Sequence, residues 1–434
     1  MLKHPILPVA ILLTVLISAC SSSSGGTLPT ASPTQVPPTQ EIQPSATPIV
    51  PTETPVALPP SPTATLLPGN AIAHFPMGQE FIVTSIHMID AKTGWAIGGF
   101  LSVGDHVLYT TDGGSTWKDV TPPQPVAPGG EMQAAVGFFQ DAQTAWVTYY
   151  INGGNPVPSQ AVVWRTSDGG QVWTSSEPLD LSGLSEIYDP TNMQFVAGLN
   201  GWLLAHVGVG MNHDYFVLYR SSDGGASWKR IIDPYNDTSG IQGCTKNNML
   251  FTDATHGWLT GDCNGVKAGV LLYKTTDSGL TWQEVTLPEP TDYPGLFSQE
   301  AQVYCGSYDP FFFSNDLGHL SVNCHDYSGT QVTYSYYLYT TRDGGNTWTS
   351  TSYPGQSLYF FSADIGWALA AKIQRTTDGG KTWSPISDVS WNAQFDFVSD
   401  QIGWAIARAD NEVALVRSEN GGARWTMLVP KVGQ

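Results

Sequence analysis

The sequence predicts an all-β fold, a seven-bladed β-propeller of four-stranded antiparallel blades preceded by a disordered tether. Three observations predict it. First, one stretch, Thr110-Thr111-Asp112-Gly113-Gly114-Ser115-Thr116-Trp117, returns six more times. The later copies are built on Asp168 and Trp173, Asp223 and Trp228, Asp277 and Trp282, Asp343 and Trp348, Asp378 and Trp383, and Asn420 and Trp425. Repetition at this spacing is the signature of a radial array rather than of separate domains. Second, each copy follows a second signature: Gly94-Trp95, Ala145-Trp146, Gly201-Trp202, Gly257-Trp258, Gly318-His319, Gly366-Trp367 and Gly403-Trp404. Third, 45 Gly, 15 Trp and 18 Tyr, with no helical period, make an all-β composition.

Residues 1–20 read as an export signal. Lys3 supplies the positive start, and Ile6 to Ile17 form an apolar run too short to span a membrane. The end of that run, Ile17-Ser18-Ala19-Cys20, resembles the bacterial lipobox. The resemblance implies cleavage before Cys20 and lipidation of its sulfur, giving an extracytoplasmic lipoprotein anchored to the membrane. Residues 21–68 are rich in Pro, Thr, Ser and Ala, with Glu41 and Glu53 as their charged residues. Such a composition cannot bury a core and favours extended polyproline II. At ~3.1 Å per residue, about 40 residues would reach on the order of 120 Å.

Residues 69–434 form the propeller. The first unit shows the plan: Phe81 to Ile89, a turn at Asp90–Lys92, Gly94 to Gly98, His106 to Thr110, then Trp117 to Val120. In each repeated turn the Asp carboxylate can accept backbone N–H groups as an Asx-turn, and the glycines supply positive φ. Asn420 offers its amide oxygen in the same role, and Ser278 replaces the first glycine of the fourth copy. The turns are therefore expected to be structural fasteners, remote from any ligand.

Four cysteines remain. Cys244 and Cys263 flank Trp258 as Cys305 and Cys324 flank His319, in the same register of consecutive blades. An antiparallel hairpin brings each pair together, predicting disulfides Cys244–Cys263 and Cys305–Cys324. The lack of any C-x-x-C spacing argues against a metal site built from all four thiolates, and neither a metal nor a cofactor is expected.

The repeats resemble the Asp-box, or BNR repeat, of sialidases, sortilin-type receptors and some glucanases. With the Gly-Trp signatures, residues 75–430 are similar to the photosystem II stability/assembly factor family, which are extracytoplasmic propellers that bind other proteins. That resemblance implies a basic surface patch, and the candidate positions three residues before the Asp hold Arg165, Arg220, Lys274, Arg375 and Arg417. The alternative is that each cation lays its stem over a neighbouring ring.

The expected ligand face carries the loops between second and third strands and between blades. Those loops are long in blades two to five and short in blades six and seven. They present Tyr150, Asn152, His213, Tyr215, Tyr235, Tyr293, His325 and Tyr327 as candidate binding residues. A net charge of −19 disfavours nucleic acid and strongly anionic substrates. The expectation is a monomeric, non-catalytic scaffold for an unknown protein or glycan. The alternative is a glycoside hydrolase or carbohydrate-binding propeller, which needs two facing carboxyl groups. Asp214, Asp237, Asp292 and Asp326 are candidates that spacing does not pair, and His206, His213, His256 and His325 are scattered. A xyloglucanase-like enzyme would resemble two such propellers rather than one.

Overall fold

The computed structural model describes residues 70–433 apart from short segments at 101–102, 211–212, 236–238, 242, 264–267, 299–301 and 411. The signal, Cys20 and the tether lie outside the described residues. The described chain folds into seven four-stranded antiparallel units in sequence order, the blades of a propeller. Within each, strands pair in the order in which they occur. The sheets of blades four and five meet at one pair, Asp262 opposite Gly306.

The ring closes by pairing its two ends. The strand around Glu80 bridges Lys431, and Trp117 bridges Val432. Phe81, Val83, Trp117, Trp404, Ile406, Leu415 and Val432 then form one core between blades seven and one. Similar apolar clusters fill the wedges between other neighbouring blades.

Each repeated turn joins the third and fourth strands. Asp112 Oδ1 accepts the Thr116 N–H at 2.9 Å, and its Oδ2 accepts the Thr116 hydroxyl at 2.7 Å. The hydroxyl two residues upstream completes the motif, a role not visible in spacing alone. Thr110 Oγ1 donates to Asp112 Oδ1 and accepts from the Gly114 N–H. Thr or Ser repeats this in the other six turns. Asn420 accepts the Arg424 N–H through its amide oxygen. Ser278 adopts φ 68°, a left-handed conformation that glycine takes without cost.

The second signature fastens one blade to the next. Trp146, Trp202, Trp367 and Trp404 donate their indole N–H to backbone carbonyls of Gly224, Ser278, Gly421 and Gly113, inside the next blade's repeated turn. The cations sit directly across from these rings, pairing Trp146 with Arg165, Trp202 with Arg220, Trp258 with Lys274, Trp367 with Arg375 and Trp404 with Arg417. Lys274, Arg375 and Arg417 lie 5.2, 5.5 and 5.2 Å from the Trp ring centres. Arg165 and Lys274 also donate to the Gly224 and Gly344 carbonyls of the following turn. Arg165, Lys274, Arg375 and Arg417 thus lie over rings or on the following turn, as in the ring-packing alternative, rather than forming the basic patch that the resemblance implies.

Cys244 is bonded to Cys263 and Cys305 to Cys324, each at the end of its hairpin away from the first turn. Bonds of this kind persist in oxidising compartments and fit an extracytoplasmic body.

Candidate functional site

The eight predicted binding residues divide into separate patches of one face. Tyr150 lines a 480 Å³ cavity in blade two, walled by Pro125, Val126, Pro156 and Val157. Asn152 is exposed beside it. Tyr215 and Tyr235 stack at 6.3 Å on blade three, where His213 begins the third strand but its side chain lies outside the described residues. Tyr293, His325 and Tyr327 gather on blade five, where the Tyr293 hydroxyl donates to Asp326 Oδ2 at 3.2 Å.

Among the described residues, no two of the candidate loop carboxylates are brought together. Asp214 is buried against His206 Nδ1 at 2.7 Å and accepts the Lys246 N–H, an internal network. Asp326 is held down by the Ser328 hydroxyl and N–H. Asp292 lies in an exposed loop, and Asp237 is outside the described residues.

A groove opens across blades five, six and seven, beside the short loops of blades six and seven. The groove, 870 Å³, has one wall from Tyr336 and Tyr353 and a floor of Pro354 to Gln356 and Leu369 to Ala371. Its far wall is Trp391, Asn392, Arg408 and Asp410. Gln356 also lines a second cavity of 590 Å³ in the central channel, so the groove and this cavity share a wall residue.

That channel is built from the first strand of each blade. Strand pairing sets its side chains in two layers, because residues two apart share a face. One layer lies opposite the second-signature rings: His87, Phe138, Gln194, Leu250, Phe311, Tyr359 and Asp396. The other includes Asn192, Asn248, Asp309, Ser357 and Gln394. Three side chains of the first layer clasp the next blade's first strand. Gln194 exchanges two hydrogen bonds with the Phe251 backbone, Tyr359 donates to the Phe397 carbonyl, and Asp396 Oδ2 accepts the Met88 N–H.

Two carboxyl groups therefore line one cavity. Asp396 is 8% exposed, and loss of hydration pushes its carboxyl up to about 7, partly offset by the Met88 N–H. Asp309 stands in channel solvent, and enclosure by the surrounding wall raises its carboxyl against the 3.1 Å hydrogen bond from Asn248. Tyr308 is pushed up to about 12 by burial and by Asp262. His87 is lowered by the same enclosure. Two carboxyls with raised proton affinity on the wall of one cavity, beside Asn, Gln and Tyr, suit proton transfer at a neutral polar substrate. Sequence reasoning missed Asp309 and Asp396 by looking only to loops. Their signal was the charge inside aromatic strands, Tyr308-Asp309-Pro310 and Phe395-Asp396-Phe397.

Comparison with known proteins bears on both fold and activity. Residues 374–385 match the BNR/Asp-box repeat. A xyloglucanase of Paenibacillus sp is 22% identical over 402 residues, covering 81% of this chain and 36% of its own length. Xyloglucanase Xgh74A of Acetivibrio thermocellus is 26% identical over 208 residues, covering 46% of this chain and 18% of its own. The chain thus spans about a third or less of the curated relatives it matches. The structure of YCF48 bound to D1 peptide aligns with TM-score 0.49 and 17% identity, covering 84% of this chain and 99% of that one. The xyloglucanase relatives overturn the expectation of a non-catalytic protein-binding scaffold, and with it the inclination against an enzyme. The chain is thus a β-propeller of seven four-stranded blades that carries Asp-box (BNR) type turns, one of which, at residues 374–385, matches the repeat's family model.

Proposed function

We propose that this chain is an extracytoplasmic carbohydrate-active propeller that hydrolyses a neutral, xyloglucan-type polysaccharide. The observation that carries the reading is that Asp309 and Asp396 both line one channel cavity, which shares Gln356 with a neighbouring aromatic groove. The sequence similarity to xyloglucanases supports the substrate class. In this reading Asp396, protonated up to about pH 7, donates a proton to the leaving glycosidic oxygen. Asp309, held by Asn248 in channel water, activates the attacking water. Asn323 and Gln394 supply neutral hydrogen-bonding groups in the same cavity. The body is carried outside the membrane on the 21–68 tether from lipidated Cys20.

Reducing-end release from xyloglucan, measured beside Asp309→Asn, tests the proposal. The native chain is expected to turn over and the variant to lose on the order of 100-fold or more, the scale of general acid–base catalysis. Retardation in xyloglucan gels without cleavage would instead identify a carbohydrate-binding propeller. Neither cleavage nor retardation on any neutral glucan would sink the reading.

A further inference from the structure

We infer that the extended hairpin of blade five carries a stacking platform for the neutral polysaccharide beyond the groove, an inference that rests on the function proposed above. The second and third strands of this blade, Gly318–Asp326 and Thr333–Thr341, are nine residues each, against four and five in blade six. The extra length stands beyond the ring. Strand pairing sets Tyr304, His325 and Tyr334 side by side, so all three share one sheet face. His325 meets Tyr334 at 4.9 Å, and Tyr304 meets Tyr327 at 5.3 Å. Tyr304, Tyr327 and Tyr334 are 38%, 46% and 53% exposed.

The same face runs continuously into the candidate site. Two residues back from His325 is Asn323, which lines the channel cavity, and two on from Tyr334 is Tyr336, which lines the groove. One step of two residues is about 6.8 Å, so the rings continue the groove wall outward. The next register pair, Cys305 with Cys324, faces the opposite way and joins the first two strands by the disulfide. The platform is therefore aromatic, exposed and braced from behind.

Charge selects the occupant. From Gln302 to Thr341 the chain contains no Lys or Arg, while Asp326 stands at the rim with the Tyr293 hydroxyl on it. An anionic polymer finds no counter-charge there. The weakly positive C–H faces of a pyranose ring fit the negative faces of tyrosines, and its hydroxyls fit Asp326 and Tyr293.

The test compares the native chain with Tyr304→Ala/Tyr327→Ala/Tyr334→Ala and with the corresponding triple Phe variant, using xyloglucan polymer, its short oligosaccharides and polygalacturonate. Thermal unfolding checks that each folds. The Ala variant is expected to bind polymer roughly tenfold or more weakly, with turnover of short oligosaccharides unchanged, and the Phe variant to retain binding. Native-like polymer binding by the Ala variant, or preference of the native chain for polygalacturonate, would overturn the platform while leaving the hydrolase reading intact. No binding or turnover of any neutral glucan by the native chain would remove the hydrolase reading first, and the platform with it.

Discussion

At the scale of single residues, Asp396 carries two demands that pull apart. Its carboxyl accepts the Met88 N–H and so joins blade seven to blade one, yet its burial favours the neutral acid. Because the folded-state value, about 7, lies above the ordinary 3.8, the folded protein holds this proton more tightly than the unfolded chain. The stabilising contribution is then complete below about pH 3.8 and is lost as pH rises toward about 7. Asp396→Asn keeps an acceptor for Met88 and never ionises. Thermal unfolding should therefore show the variant more stable than the native chain near pH 8, by up to about 4 kcal/mol, with the gap closing near pH 4. The same variant should lose turnover. A parallel loss of stability at both pH values would mean that the ionised carboxylate is what joins the two strands.

At the scale of the repeated element, two signatures divide the labour. The Asp closes its own turn through Thr116, whereas the upstream Trp and its facing cation tie that blade to the next turn. Their costs should differ accordingly. Asp112→Ala removes a backbone-capping carboxylate and should lower stability by about 0.5–2 kcal/mol while leaving glycan binding intact. Gly345→Ala meets a harder limit. Its φ is 81°, and a Cβ there would lie 2.1 Å from Trp258 of the neighbouring blade. It should cost more than about 2 kcal/mol, through strain and the displaced ring together. Urea unfolding of both variants checks the order, and an Asp112→Ala that costs more than Gly345→Ala would reverse the assignment of roles. The turn chemistry was legible because Asp, Gly and Trp recur at fixed offsets. The partner of Trp404 was not, because Gly113 lies 291 residues away in sequence and only closure of the ring brings them together.

At the scale of the whole molecule, that closure also explains which part of the candidate site could be read early. The loop face and its tyrosines follow from strand order alone. The channel carboxyls do not, because Asp309 and Asp396 belong to blades five and seven and share a cavity only once seven first strands converge. The groove lies beside the short loops near Ala371 and Asp410, and their shortness says nothing of what lines it. Closure itself depends on a short terminal stretch. Five backbone hydrogen bonds join it to the start of blade one and its repeated turn: Gly78 to Val432, Phe81 to Pro430, Trp117 to Lys431, Val432 to Gln79 and Gly433 to Trp117. At about 1 kcal/mol each they amount to roughly 5 kcal/mol, a large share of the ~5–15 kcal/mol that holds a typical fold. Removing residues 429–434 should therefore lower the unfolding midpoint far more than Asp112→Ala does. Hydrogen exchange should quicken first in Ile82–Met88 and Asn392–Phe397, the first strands of the two blades that meet there. Uniform quickening across all seven blades would mean that the ring opens as one cooperative unit, and unchanged exchange would show that the Trp404 clasp closes it unaided.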